Sequence, residues 1–154
     1  SLGFVNIKSN DPFEAPIIQP NYLEAEEDGK VLIAGMKLAR RLMRTEPLEP
    51  YFDFEQYPGD HIQTDDELLQ IARERGTTTF HVMGSCRMGP SSDPTSVVNE
   101  KLGVHGIDGL RVIDASIMPT MLSANLNAGA MMIGEKGADM ILGKPALEPI
   151  ITHE

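Results

Sequence analysis

Apolar and polar residues alternate along residues 2–9, LGFVNIKS, a pattern typical of a half-buried strand. Pro12 and Pro16 interrupt the alternation soon afterwards. Residues 17–23, IIQPNYL, follow, and Pro20 with the residue before it favours extended chain. The pattern therefore predicts a first strand and then a second strand or an ordered crossing.

Two helices are predicted in the next part of the chain. From Asp28 to Arg44 apolar residues recur at helical spacing, and arginines near the end suit the helix dipole. Thr64 and Glu67 form a capping-box pattern, which predicts a helix from about Asp65 to Arg75 that stops at Gly76. The apolar positions expected on one face of the first helix are Val31, Leu38 and Leu42, with Gly35 between them.

The remaining segments complete an α+β pattern. Residues 77–84 favour extended chain because of their β-branched threonines, and residues 109–119 resemble another strand. Ala128 to Leu142 is predicted as a final amphipathic helix, ended by Gly143. Residues 46–60 are rich in proline and aromatic residues, which suits either a loop or short strand at a substrate cavity, or plain surface packing. Their aromatic residues are Tyr51, Phe52, Phe54 and Tyr57.

Length and charge narrow the classes of function. A chain of 154 residues can bury one moderate core, and its net charge of −10 repels nucleic acid and anionic lipid. Its single cysteine, Cys86, excludes an internal disulfide framework, so a reducing compartment is the simplest expectation. No apolar run reaches the length of a transmembrane helix. Cys86, His81 and His105 are too widely spaced to resemble a zinc site, so no metal is expected.

Two glycine-rich stretches carry a family resemblance. They are Phe80–Gly89, FHVMGSCRMG, and the run from Gly109 to Ile141 that contains IDAS and SANLNA, with residues 97–112 leading into the second. Together they resemble the C-terminal signature of glucose-methanol-choline (GMC) oxidoreductases, and residues 4–23 are similar to the strand segment that begins the family's substrate domain. The resemblance implies an α+β substrate domain, with a mainly antiparallel sheet packed with helices, from an enzyme that uses FAD to oxidise alcohols.

The resemblance assigns two catalytic residues. His81 matches the family's active-site histidine, and an imidazole can accept the proton of an alcohol near neutral pH. Asn125 matches a second active-site position, occupied by His or Asn, where an amide can hold the substrate oxygen. Alternatively, Asn125 only shapes the turn before the last helix. The sequence departs from the commonest family pattern at Val82, where Pro is usual, and at Ser85, where Thr is usual.

Four further residues are expected near the flavin because of the same resemblance. Asn127 and Ala128 would lie beside it, where a helix N-terminus stabilises negative charge. Asp114 and Ala115 match a segment that contacts FAD in the family, although Asp114 could instead only cap a turn.

The nucleotide-binding element of such an enzyme is not found in these residues. No G-x-G-x-x-G run occurs, so the N-terminal FAD-binding, Rossmann-like domain is expected elsewhere in a longer polypeptide, and residues 1–154 are expected to be its C-terminal portion. Alone, the chain is expected to retain no FAD, to be inactive and to form dimers or larger species through exposed apolar surface. The complete enzyme would oxidise choline or another primary alcohol to an aldehyde, in the cytoplasm or at a membrane. The alternative is a non-catalytic binding module that keeps the fold.

Overall fold

The structure, a computed structural model, describes residues 1–145, 147, 148 and 150. It divides into two compact units, residues 1–78 and residues 79–154. Among the described residues, no helix is both long enough and apolar enough to span a bilayer.

The first unit opens with a small antiparallel sheet. Strand β1 is Phe4–Asn6 and strand β2 is Ile17–Gln19, with Val5 opposite Ile18 in the register. The alternating pattern predicted the first strand, and the extended chain around Pro20 allowed the second. The half-burial expected of the first strand is wrong, because all three of its residues are exposed. The sheet has two strands in the described part of the chain, and the α+β class is confirmed.

Two helices make up the rest of the first unit. Helix α1 is Glu26–Met43 and helix α2 is Asp65–Arg75. They pack closely because Gly29 has no side chain: a Cβ there would stand 3.2 Å from Cδ1 of Leu69, beside the fully buried Leu68. The predicted helix is confirmed, and its buried residues are Gly29 and Ile33. The apolar residues whose spacing predicted it are exposed, namely Val31, Leu38 and Leu42.

The capping box of α2 forms as its sequence predicts. The Thr64 hydroxyl accepts from the backbone N–H of Glu67 at 3.3 Å, and the Glu67 carboxylate accepts from the backbone N–H of Thr64 at 2.9 Å. These bonds satisfy amide groups that the first turn of a helix leaves without partners. The hydrogen bonds from Thr64, and then the backbone N–H of Gln63, lower the pKa of Glu67.

A half-buried arginine organises the segment between α1 and α2. Nε and Nη2 of Arg40 donate to the Glu55 carboxylate at 2.6 to 3.0 Å, while Nη1 donates to the carbonyl of Ile62 at 2.7 Å and Nη2 to that of Gly59 at 3.2 Å. Hydrogen bonding to Glu55 raises the pKa of Arg40. The segment contains the 3-10 turn Glu49–Tyr51 and no strand, and Tyr51, Phe54 and Tyr57 are exposed.

The described residues of the second unit form one α-helix and a network of short backbone pairings. Isolated bridges join Met88 to Val98, Val98 to Val104 and Gly103 to Arg111. Its core contains Val98 and Leu102 together with Ile117, Met118, Leu126 and Ile133. Helix α3, Asn127–Leu142, ends at Gly143 in the left-handed conformation with φ of 65°, as the glycine predicts.

Two predictions of extended chain need correction in this unit. Residues 109–119 contribute one bridge, at Arg111, and then a 3-10 turn over Ala115–Ile117, so the predicted strand was wrong. The turn forms because the Asp114 carboxylate accepts from the backbone N–H of Ser116, which competes with strand pairing. The extended chain predicted over residues 77–84 is interrupted at Phe80, with a φ of 60°, and at Gly84, with a φ of 84°.

Candidate active site

Two side chains that lie far apart in the sequence meet in the second unit. Nδ2 of Asn125 lies 3.0 Å from Nε2 of His81, within hydrogen-bond distance. An amide nitrogen can only donate, so Nε2 of the imidazole is the acceptor in this contact. His81 is half-buried and Asn125 is exposed, so the pair is open to solvent on one side within its unit. The arrangement presents a basic nitrogen and an amide donor together.

The loop that carries His81 is held by a row of backbone hydrogen bonds. Gly84 donates to the carbonyl of Ala115 at 3.4 Å, Cys86 to that of Ser116 at 2.9 Å and Met88 to that of Ile117 at 2.8 Å. Gly84 has a positive φ, and a Cβ there would stand 3.2 Å from the carbonyl oxygen of Met118. The row therefore attaches residues 84–88 directly to residues 115–117.

Asn125 is held in place by the helix that follows it. Leu126 is buried in the core and α3 begins at Asn127. Two glycines let α3 approach its neighbours closely: a Cβ at Gly129 would stand 2.9 Å from Cε of Met118, and one at Gly137 would stand 2.3 Å from Cγ2 of Ile113. A side chain at Gly137 would require Ile113 or the helix to shift, whereas one at Gly129 would meet the flexible ends of Met118 and Leu122. The close contact at Gly137 thus helps to place α3, and with it Asn125.

Asp114 and Ala115, predicted to contact a flavin, lie on the same central segment. Oδ1 of Asp114 accepts from the backbone N–H of Ser116 at 2.7 Å, which makes Asp114 the cap of the 3-10 turn. The carbonyl of Ala115 accepts from Gly84 of the His81 loop. The structure thus gives Asp114 the turn-capping position that the sequence left as an alternative, and its carboxylate remains exposed.

Asn127 and Ala128, the other two predicted flavin contacts, form the exposed start of α3. Leu126 occupies the N-cap position and makes no side-chain cap bond to the first turn. The first turn of α3, next to Asn125 in the sequence, is therefore not capped by the side chain of Leu126. All six residues predicted for the site belong to this one unit, and only His81 and Asn125 bond to each other directly.

An ion pair and a histidine brace the far end of the His81 loop. Nη2 of Arg87 lies 2.8 Å from Oδ2 of Asp93, and Nε2 of His105 lies 3.1 Å from the carbonyl oxygen of Gly89. Hydrogen bonds from the side chain and then the backbone of Thr95 lower the pKa of Asp93, and the charge of Arg87 adds to the shift. Nε of Arg87 is buried and has no partner within the described chain.

Sequence reasoning did not identify the residues that fix the geometry of the site. These residues are Gly84, Gly129 and Gly137. They have no reactive side chain, so a search of the sequence for catalytic groups does not find them. One pattern could have drawn attention to the pair in α3: Gly129 and Gly137 lie eight residues apart with Ile133 midway, which places all three on one face of a helix. A helix can approach its neighbours closely at the two glycines of such a face.

Comparison with known proteins agrees with the family resemblance. A family model described as GMC oxidoreductase matches residues 1–134. Choline dehydrogenase, mitochondrial, from Homo sapiens is 45% identical over 147 residues, which cover 96% of this chain and 25% of that protein. Oxygen-dependent choline dehydrogenase from Staphylococcus xylosus is 42% identical over 150 residues, covering 97% of this chain and 27% of that protein.

A solved structure agrees with these sequence matches. The FAD-dependent oxidoreductase from Chaetomium thermophilum superimposes with a TM-score of 0.82 at 30% identity. The match covers 92% of this chain and 24% of that chain. This chain therefore spans about a quarter of the length of the curated relatives it matches.

Proposed function

This chain belongs to the GMC oxidoreductase family, and on that premise we propose that it supplies the substrate-facing part of an FAD-dependent enzyme that acts on CH–OH groups. The complete enzyme would oxidise an alcohol to an aldehyde. The observation that carries the proposal is the 3.0 Å contact between Asn125 and His81, which lie on different segments of one unit.

The geometry of this pair suits an alcohol oxygen. An oxygen about 2.8 Å from both nitrogens would close a nearly equilateral triangle with the 3.0 Å edge between them. In that place the alcohol donates its hydroxyl proton to the single lone pair of Nε2 of His81, replacing Asn125 as the donor, and accepts a hydrogen bond from Nδ2 of Asn125. Asn125 then holds the oxygen, while His81 takes the proton as the C–H bond of the carbinol breaks.

The residues around α3 fit the cofactor that such a reaction needs. FAD, when bound, supplies the acceptor for the hydride that leaves the carbinol carbon. Asn127 and Ala128 would lie against the flavin, where the uncapped start of α3 stabilises negative charge. Ala115 and Asp114 would contact the same cofactor from the neighbouring 3-10 turn. Most of the binding would come from an FAD-binding, Rossmann-like domain in the rest of the polypeptide.

The names of two relatives suggest a substrate. Two of them are choline dehydrogenases by name, which supports choline, or another primary alcohol, as the substrate here. We propose a cytoplasmic location because the one cysteine, Cys86, needs no oxidising compartment. If the complete enzyme passes its electrons to a membrane quinone, the location becomes the membrane surface.

The test uses the complete polypeptide with its flavin. We expect His81→Ala to slow anaerobic bleaching of the flavin by choline at least about a hundredfold, since the alcohol loses its proton acceptor. His61→Ala, which removes an exposed histidine of the first unit, is the control and should bleach at the wild-type rate. An undiminished rate in His81→Ala would exclude the proposed role.

A further inference from the structure

We propose that Asp114 is a positioning residue, which keeps His81 and Asn125 at their mutual distance by fixing the conformation of residues 113–118. The inference rests on the proposed function, because it concerns how the proton acceptor and the oxygen-holding amide are kept together. It gives the Asp114 side chain a task that is separate from any contact with the cofactor.

The first step is the local bond that Asp114 makes. Its Oδ1 accepts from the backbone N–H of Ser116 at 2.7 Å, and the 3-10 turn Ala115–Ile117 follows. A short side-chain acceptor bonded to the backbone two residues later favours a turn over extended chain. The carboxylate therefore fixes the direction in which the carbonyls of the turn point.

The second step links the turn to His81. Its three carbonyls are the acceptors for Gly84, Cys86 and Met88. Gly84 comes three residues after His81, so the first attachment lies close to the imidazole along the chain. If the turn were to open into extended chain, these acceptors would move and the His81 loop would move with them.

The third step links the same segment to Asn125. Ile113 lies against Gly137 and Met118 lies against Gly129, so both ends of the segment contact α3. Helix α3 begins at Asn127, two residues after Asn125. Residues 113–118 are thus the shared support of both members of the pair, and Asp114 is the side chain that caps the turn within them.

The alternative role for Asp114 is a negative charge that acts on the cofactor. Substitutions of Asp114 distinguish the positioning role from this charge role. Asn and Ser keep an oxygen that can accept from the backbone N–H of Ser116 but carry no charge. Glu keeps the charge, while its extra methylene moves the carboxylate away from the capping position. The positioning role therefore predicts that Glu is worse than Asn or Ser, and the charge role predicts the reverse order.

The experiment measures flavin reduction by choline in the complete polypeptide, anaerobically, as a function of choline concentration. We expect Asp114→Asn and Asp114→Ser to lower the limiting rate by up to about threefold, and Asp114→Glu to lower it about tenfold or more. The flavin content should equal that of the wild type in all three, and the half-saturating concentration should change less than the limiting rate. If Asp114→Glu keeps its rate while the Asn and Ser variants lose theirs, the positioning role is wrong.

A second pair of variants tests the attachment of the His81 loop to residues 113–118 without a substitution of Asp114. Gly84→Ala places a Cβ 3.2 Å from the carbonyl oxygen of Met118 at a positive φ, whereas Gly106→Ala has a similar φ with no atom within 4 Å. We expect the first to slow flavin reduction about tenfold and the second to leave it near wild type. Equal rates in the two would overturn the inference, even if Asp114→Glu does not fold.

His81→Ala distinguishes this inference from the proposed function. If His81→Ala reduces its flavin normally, the proposed function fails whatever the Asp114 variants do. If His81→Ala is inactive while Asp114→Glu and Gly84→Ala remain fast, only the positioning role fails.

Discussion

The amide of Asn125 donates to the imidazole of His81 across 44 residues of sequence, at 3.0 Å. Each side chain is also held by its own segment. The His81 loop is attached through the backbone hydrogen bonds of Gly84, Cys86 and Met88. Asn125 is held by the start of α3. The contact is therefore a consequence of how two separate segments attach to residues 113–118.

Substitution of Asn125 should reveal what its amide contributes. We expect Asn125→Ala to slow flavin reduction in the complete polypeptide by about ten- to a hundredfold, because the alcohol oxygen loses its donor. Asn125→His restores a nitrogen donor and should recover part of the rate. Stopped-flow absorbance of the flavin measures both variants, and a fully active Asn125→Ala would contradict the role of the amide.

Two glycines of α3 form a matched pair for a stability test. Gly137→Ala places a Cβ 2.3 Å from Cγ2 of Ile113, which should destabilise the protein by about 1 to 3 kcal/mol. Gly134→Ala has no atom within 4 Å of the new Cβ and should stabilise it by about 0.5 to 1 kcal/mol. Urea denaturation measures both changes. The prediction fails if the two substitutions shift the midpoint in the same direction.

The capping box of α2 should make stability depend on pH. Hydrogen bonds from Thr64 and Gln63 lower the pKa of Glu67, so its folded value lies below its unfolded value. The stabilisation is then fully present above the unfolded pKa and is lost as the pH falls through the folded pKa. Glu67→Gln keeps a side chain that suits a capping box but lacks the charge, so its stability should vary less with pH across that acidic window.

The same helix allows a check on the other half of the box. Thr64→Ala removes the acceptor for the backbone N–H of Glu67 and should destabilise the protein by about 1 kcal/mol at neutral pH. Thermal unfolding of wild type, Thr64→Ala and Glu67→Gln, measured from neutral to acidic pH, tests both statements. If the Glu67→Gln curve parallels the wild-type curve throughout, the charge does not contribute.

The Arg40 and Glu55 pair should control the order of the segment between α1 and α2. Arg40→Lys cannot reproduce the forked bonds to Glu55 together with the bonds to the carbonyls of Gly59 and Ile62. We expect a loss of about 1 to 3 kcal/mol and faster amide hydrogen exchange over residues 55–62. Arg41→Lys, at an exposed position one residue later, is the control and should leave exchange unchanged.

The chain in isolation should associate with itself. Several large apolar side chains on α3 are exposed to water, and apolar exposure favours association. They are Met131 at 64%, Met132 at 60%, Ile141 at 59% and Leu142 at 67%. Light scattering should detect dimers or larger species, which replacement of Met131 and Met132 by Gln should reduce. A monomer over a wide concentration range would refute the prediction.

The elements that could be predicted from the sequence are those whose determinants are local. The capping box of Thr64 and Glu67 and the stop at Gly76 gave the bounds of α2 correctly, because both act within a few residues. Gly143 likewise marked the end of α3. The strand predicted over residues 109–119 is absent because the side chain of Asp114 bonds to the backbone of Ser116. The spacing of apolar residues does not reveal such a bond.

The burial and the site depended on contacts that periodicity cannot supply. Val31, Leu38 and Leu42 have helical spacing, yet α1 buries Gly29 and Ile33, because the close approach of Leu69 selects the face with no side chain at position 29. His81 and Asn125 were found through family motifs. Their contact could be found only in the folded structure, because no local sequence pattern relates residues 44 positions apart.

The hydrogen bonds of Arg40 would hold the protein together after proteolytic cleavage of the nearby chain. Glu55 lies on one side of residues 56–58, and Gly59 and Ile62 lie on the other, while one guanidinium holds all three. A protease that nicks the chain within residues 56–58 would therefore leave both new ends anchored to the same side chain. Such a nicked protein would migrate as one species under native conditions and would separate into two fragments only in denaturant.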